Sequence, residues 1–339
     1  MTPCLIKKKQ MKDITHNDSY FESKYNIHVA SYYKKTWRSY RRMITYPLTN
    51  IFYKMLVKLI PRKQTISKKY KIVLCAIFKN EGRFLKEWIE YHRLIGVDHF
   101  FMYNNNSTDN YKEILSKYID AGIVSLIDWP QVPGQIPAYK HWYDNYRKDC
   151  EWCSFLDLDE FICPKYDYDL PSWLEKYKKY PVIRIDWLMF GTSALEEHNE
   201  ANLVIEQYTH CWNKPVNIGK VLYNCNFDIA AFNNTMHHAL HVKWHNLIIP
   251  PFNDTGNICV DYCHELHGNK NSSIQINHYY SRAYNILNEK LTKGDSAYIV
   301  KGKKEVAPYI NREMNCVKVD YTIQRYLLRL KLRMKNINF

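Results

Sequence analysis

The stretch KIVLCAIFKNEGRFLKEWIEYHRLIGVDHFFMYNNNSTD, from Lys71 to Asp109, carries the reading of the fold. Residues 71–78 are mostly apolar and partly β-branched, the composition of a buried strand. From Asn80 to Gly96 the residues Phe84, Trp88, Tyr91 and Ile95 recur at helical spacing, and Gly96 supplies a stop. HFFMY (99–103) reads as a second strand and NNNSTD (104–109) as a polar turn. The alternation then repeats, with a helix at 111–122, a strand at 123–129, a helix at 135–150 and a strand at 152–158. Strands separated by helices of this length predict βαβ units, an α/β fold and a mostly parallel sheet flanked by helices.

In such sheets ligands bind beyond the carboxyl ends of the strands. Three polar clusters fall there: Asn80–Glu81, Asn104–Asp109 and Asp157–Glu160. The last lies in SFLDLDEFICP (154–164), where a hydrophobic run meets three carboxylates. Side chains on a strand alternate, so Asp157 and Asp159 share one face while Leu158 points to the other, with Cα atoms roughly 6–7 Å apart. That spacing suits two oxygen donors on one hard cation. A solvated strand end gives the same spacing, so the pair alone leaves both readings open.

DLDE after a hydrophobic strand resembles the DxD motif of nucleotide-sugar-dependent glycosyltransferases with the GT-A fold. FKNEGRFLKEWIEYHRLIGVDHFFMYNNNSTDN, followed by FLDLDEFI and by INHYYSRAYNILNEKLTKGD (276–295), is similar to glycosyltransferase family 92 and to related family 2-like members. The resemblance spans about residues 72–295. It implies a GT-A-like, Rossmann-type domain that transfers a hexose such as galactose from a UDP-sugar to a glycan acceptor, with inversion and with Mn²⁺ or Mg²⁺. By position it implies Asn80 and Glu81 beside the nucleotide, and Asn105 and Asp109 near base or ribose. Asp157 would meet ribose or metal-bound water, Asp159 would be a direct metal ligand, and His278 would complete the metal site. Many family 2 enzymes carry Asp-Asp where this chain has Asn104–Asn105, which loosens the expectation for the donor.

An inverting displacement needs a base to take the acceptor's proton. VIRIDWLMFGTSALEEHNE (182–200) offers Asp186, Glu196 and Glu197. Its FGTSA segment, with Gly191, reads as an acceptor loop, and Trp187 as a stacking platform or a core residue. Lys290 and Lys293, near His278, read as a clamp on the leaving diphosphate. The Cys and His residues of CVDYCHELHG (259–268) and MHHALHVKWH (236–245) lack the paired spacing of a zinc site, and His92 reads as core.

The chain has 339 residues, 48 Lys and Arg against 34 Asp and Glu, and a net charge of +14. The excess sits at the ends, which favours an anionic partner there and not at the acidic rim. We therefore divide the chain into a basic extension (1–70) with a possible membrane-surface contact, a catalytic domain (71–300) and a basic C-terminal segment (301–339). RYLLRLKLRMK (325–335) is an amphipathic pattern that suits either an anionic membrane or the protein's own body. MITYPLTNIFYKMLVKLI (43–60) is broken by Pro47, Lys54 and Lys58 and reads as a surface-lying segment, not a span. The start lacks an apolar signal region, and the ten cysteines follow no disulfide framework. These features predict a cytoplasmic protein, peripheral on the inner membrane face; joined to the family resemblance, they imply a bacterial setting and a role in cell-surface polysaccharide or lipopolysaccharide synthesis. The rival readings are a nucleic-acid-binding protein or nuclease, for which no motif is present, and a non-catalytic sugar-nucleotide-binding relative.

Overall fold

The computed structural model describes residues 37–61, 68–233, 236–259, 269, 271–292, 309 and 311–335. A long helix, α1 (Trp37–Leu59), leads into the alternating half: β1 (Tyr70–Phe78), α2 (Gly82–Leu94), β2 (His99–Asn104), α3 (Tyr111–Asp120), β3 (Val124–Asp128), α4 (Gln135–Tyr146) and β4 (Cys150–Phe155). The sequence periodicity placed β1 to β4 and α2 to α4 within a few residues of their bounds, whereas α1 falls in the extension that it left unassigned. β1, β2, β3 and β4 are parallel neighbours. The buried runs of β1 and β2 are apolar on both faces, as helix-covered parallel strands must be.

The second half is built differently. β5 (Glu160–Pro164), α5 (Leu170–Glu175), β6 (Val182–Met189), α6 (Val204–Gln207), β7 (His210–Cys211) and β8 (Gly219–Asn224) follow. Then come β9 (Asp228–Ile229), β10 (Val242–Trp244), β11 (Leu247–Ile249), β12 (Ile274–His278) and α7 (Tyr284–Thr292). β13 (Lys318–Val319) and α8 (Leu327–Met334) close the described chain. The large sheet runs β3-β2-β1-β4-β8-β6-β12-β5. It is an α/β sheet, parallel in its first half and mixed in its second, where β8 is antiparallel to β4 and β6 and β5 to β12.

This order places the site. β4 and β5 are four ladder steps apart, about 19 Å in a flat sheet. Only residues 156–159 join them, at most about 18 Å fully extended, and part of that link is a tight turn, with the Glu160 N–H donating to the Asp157 carbonyl at 3.1 Å. The sheet must therefore curl, and the acidic turn sits inside the curl.

The C-terminal helix packs on its own fold, one of the two readings that its sequence left open. α8 docks on α2: Leu330 is buried, Arg333 Nε donates to Glu90 at 2.6 Å, and Lys331 pairs with Glu206. Lys331 and Arg333 thus meet carboxylates of their own fold, while Arg325 donates to the Lys165 carbonyl and Arg329 lies over the Tyr168 ring. His92 is buried, as expected of a core residue.

Candidate functional site

The link after β4 turns at once. Asp157–Glu160 is a turn, not a strand end, so the expectation that Asp157 and Asp159 share a strand face does not hold. The Asp157 N–H donates to Glu160 Oε2 at 3.0 Å, which ties the turn across its mouth. The two aspartates then part. Asp157 Oδ2 accepts from Lys220 Nζ at 2.7 Å and Oδ1 from Gln135 Nε2 at 3.3 Å. Asp159 Oδ2 accepts from Lys290 Nζ at 2.5 Å, and its Oδ1 lies 3.6 Å from His278 Nε2.

Glu160 stands between them. It opens β5 directly opposite His278, the last residue of β12, in the antiparallel register. Lys220 Nζ, on β8, is 3.4 Å from Glu160 Oε2. Asp159, Glu160 and His278 each offer one ligand atom within 4.8 Å of the others. All three residues are buried.

The electrostatics follow from that burial. Burial would raise the Asp159 carboxyl, but Lys290, His278 and Arg282 outweigh it and hold the group well below the usual carboxylate range. Burial pushes Glu160 well above the ordinary glutamate value; Lys220 opposes this, while Asp157 and Asp159 reinforce it. Burial lowers the His278 imidazole, partly offset by Asp159, which leaves the ring neutral and able to ligate. Burial alone would lower the Lys220 ammonium, yet Asp157 and Glu160 raise it.

Two buried polar atoms in this cluster have no hydrogen-bond partner: Glu160 Oε1 and His278 Nδ1. An orphaned carboxylate oxygen next to a second carboxylate and a neutral imidazole fits a divalent cation that accepts mixed O and N donors.

The rim clusters converge as the strand order requires. Arg282 links two of them: Nη2 donates to the Leu158 carbonyl at 2.8 Å and Nη1 lies 3.8 Å from Glu81 Oε1. Asn80 takes a positive φ, and its Oδ1 accepts from the Thr108 N–H at 2.7 Å. Asp109 Oδ2 accepts from the Gly82 N–H at 2.7 Å, while Asp109 Oδ1 is buried without a partner. Asn105 donates both amide hydrogens to the loop carbonyls of Trp129 and Gln131. These side chains knit the rim loops together, so any contact with a nucleotide is additional to a structural role.

Other expected residues are not brought to the cluster. Asp186 lies on the opposite face of β6 from Trp187, as strand alternation demands. It pairs with Arg184 at 2.8 Å in a separate polar cavity of about 390 Å³ lined also by Asn217, Asn253 and Asn257. Gly191 is buried, and a Cβ there would lie 2.5 Å from Cys316 Sγ and from Glu313 Oε2, so its bare Cα packs closely against the Glu313 and Cys316 side chains. Glu196 and Glu197 are exposed in the following loop, where the Glu196 carbonyl accepts from the Asn285 N–H at the start of α7. Trp187 does join the site, its ring centroid 4.5 Å from that of His278, with Nε1 buried and unpartnered. Lys293, with Cys263, His264 and His267, lies outside the described residues.

Sequence reasoning gave no role to Glu160, Lys220, Gln135 or Arg282. Glu160 stood inside the quoted acidic stretch, and Lys220 stood alone in the apolar run GKVLY, a lysine that only a buried partner could tolerate. Gln135 and Arg282 left no comparable signal.

A sequence profile described as glycosyltransferase family 92 matches residues 70–249. A glycosyltransferase family 92 protein of Ricinus communis is 34% identical over 147 residues, covering 42% of this chain and 26% of that protein. A longer alignment with the same protein is 24% identical over 265 residues, 73% of this chain and 42% of the other. A family 92 protein of Oryza sativa subsp. japonica is 35% identical over 117 residues, 34% of this chain and 20% of its own length. Among solved structures, S. aureus TarS 1-349 aligns at 11% identity and a TM-score of 0.32, covering 46% of this chain and 47% of that one. The chain thus spans less than half the length of the curated relatives it matches.

Proposed function

The chain belongs to glycosyltransferase family 92, and from that membership and the buried Asp159–Glu160–His278 cluster we propose that it is a metal-dependent glycosyltransferase. It moves a hexose, galactose or a close relative, from a UDP-sugar to a glycan acceptor, with inversion, in the assembly of a cell-surface polysaccharide. The observation that carries this reading is the cluster itself: three donors within 4.8 Å of one another, in the turn beyond the carboxyl end of β4 and at the last residue of β12.

Asp159, Glu160 and His278 would hold Mn²⁺ or Mg²⁺, which when bound supplies Lewis-acid neutralisation of a departing diphosphate. A ligating carboxylate must be ionised, and the Lys220 ammonium 3.4 Å from Glu160 favours that form. Lys290 is the movable cation. It is partly exposed, whereas Lys220 has no exposure at all. Lys290 therefore leaves Asp159 for the diphosphate of the donor, while Lys220 stays as the fixed counter-charge of Asp157 and Glu160. Asp157, the more exposed aspartate, faces the ribose side, with Asn80, Glu81 and Asp109 on the same rim. Trp187 offers a ring edge beside His278 for the acceptor, and Glu196 or Glu197, on the loop that contacts α7, serves as the base. Most of the rate comes from orientation and charge neutralisation.

The test is release or transfer of sugar from a panel of UDP-sugars, with Mn²⁺, with Mg²⁺ and with chelator, in the unmodified protein and in Asp159→Asn. The reading expects metal-dependent turnover that Asp159→Asn reduces at least a hundredfold, roughly the cost of losing one strong transition-state electrostatic contact. Turnover indifferent to chelator and to that substitution rules the metal assignment out.

A further inference from the structure

Helix α1 has two apolar faces, and the fold uses one. On the docked face Leu56 and Val57 are buried, Tyr46 donates to the Ile258 carbonyl at 3.1 Å, Asn50 Nδ2 donates to Asn257 Oδ1 at 2.8 Å, and Tyr53 donates to the Ile248 carbonyl at 2.8 Å. On the other face Ile44, Leu48, Ile51, Phe52, Met55 and Leu59 recur at three- and four-residue steps, which places them on one stripe. Each is at least 50% exposed. Single exposed apolar residues are ordinary on a protein surface; six in register on one helix are not.

The charge around the stripe identifies what covers it. Lys54 and Lys58 fall along one border of the stripe, and the helix sequence WRSYRRMITYPLTNIFYKMLVKL contains five basic residues and no Asp or Glu. The hairpin tip beside it, held by Tyr53, exposes Leu247 and Ile248, with exposed Lys243 on the adjoining strand. A second copy of the chain would bring the same positive charges to the contact, on a protein that already carries +14. An anionic lipid surface offers apolar depth for the stripe and negative headgroups for the lysines at once. No helix among the described residues is long and apolar enough to cross a membrane.

We propose that the outer face of α1 is a membrane-docking surface that inserts Ile44, Leu48, Ile51, Phe52, Met55 and Leu59 into the interface of an anionic bilayer, with Lys54 and Lys58 at the headgroups. This surface is separate from the acidic cluster and does not depend on the transfer reading.

The experiment is co-sedimentation of the full chain with phosphatidylcholine vesicles, with and without phosphatidylglycerol, at low and high salt. The unmodified protein binds the anionic vesicles more tightly, and high salt weakens that binding. Leu48→Glu/Met55→Glu lowers the vesicle affinity about tenfold or more, because two buried apolar side chains are lost. Lys54→Glu/Lys58→Glu lowers it by at least roughly fivefold per lysine on anionic vesicles, with little change on neutral ones. A milder pair, Leu48→Ser/Met55→Ser, read together with an unchanged thermal midpoint, covers the case in which the charged pair fails to fold. Vesicle binding unaltered in the folded apolar variant overturns the proposal. So does a dimer of the unmodified protein that the same variant converts to monomer without changing vesicle binding, which assigns the face to a second copy.

Discussion

Lys220 places its ammonium 2.7 Å from Asp157 and 3.4 Å from Glu160, on a strand where its side chain has no solvent exposure. A buried lysine is tolerated only when it is paired, and here one lysine compensates two carboxylates of the same turn. Removing it strands both. Lys220→Met is expected to cost roughly 3–5 kcal/mol, the usual penalty for breaking a buried ion pair from one side. Adding Glu160→Gln to that variant should return part of the loss. Denaturant unfolding of both variants checks this, and a Lys220→Met protein as stable as the parent would contradict it.

Lys290 competes with the expected ion for Asp159, at 2.5 Å. Lys290→Met should therefore bind Mn²⁺ severalfold more tightly without nucleotide, yet turn over more slowly with donor present. Calorimetric titration and steady-state rates on the same preparation separate the two effects. Weaker metal binding in the variant would mean that Lys290 supports the site and does not compete with it.

Gly219 precedes Lys220 on β8, and a Cβ there would sit 1.8 Å from the Ile185 carbonyl oxygen, a backbone atom that cannot step aside. Gly219→Ala should destabilise the fold by about 3 kcal/mol or more, the upper range for overpacking. It should also disturb the reach of Lys220 to Asp157. Thermal unfolding of this variant beside Gly122→Ala, where a Cβ meets nothing within 4 Å but φ is positive, distinguishes collision from backbone strain.

Glu87 is buried in α2 and accepts from the Val204 and Ile205 N–H groups at 2.8 and 3.1 Å, which fastens α6. Burial raises its carboxyl from about 4.5 to about 7, against the pull of those two amides. The folded state therefore keeps a proton that the unfolded chain releases. Its contribution is full below pH 4.5 and is lost as pH rises through 7, a change of roughly 3 kcal/mol if the whole shift is expressed. His92, lowered to about 3 by burial, acts the other way, losing its contribution as pH falls from 6.5. Comparing Glu87→Gln with the parent isolates the first effect: their difference in unfolding free energy should change steadily between pH 4.5 and 7 and level off above it. A constant difference would show that folding leaves the Glu87 carboxyl at its ordinary value.

The alternating half of the fold was legible because each element there carries its own period. Phe84, Trp88 and Tyr91 announce α2, and the apolar run of 71–78 announces β1. The second half was not, because its strands are short and its pairings lie far apart in sequence, as with His278 opposite Glu160. The site was half legible. Asp159 and His278 carry motif signals, whereas the turn that separates Asp157 from Asp159 arises from the curl of the sheet. Asp186 looked like a neighbour of Trp187, and it is one along the chain, but strand alternation sends it to the other face. The C-terminal basic helix could not be assigned from its own residues, since its partners Glu90 and Glu206 sit more than a hundred positions away.

The most direct test of the account is a titration of Mn²⁺ into the metal-free protein, with and without UDP, followed by calorimetry or by the electron-spin signal of the free ion. The account predicts one ion per chain, held more tightly when UDP is present, and lost in Asp159→Asn and in His278→Ala. An ion bound with unchanged affinity in both variants, or no ion bound with UDP present, contradicts it.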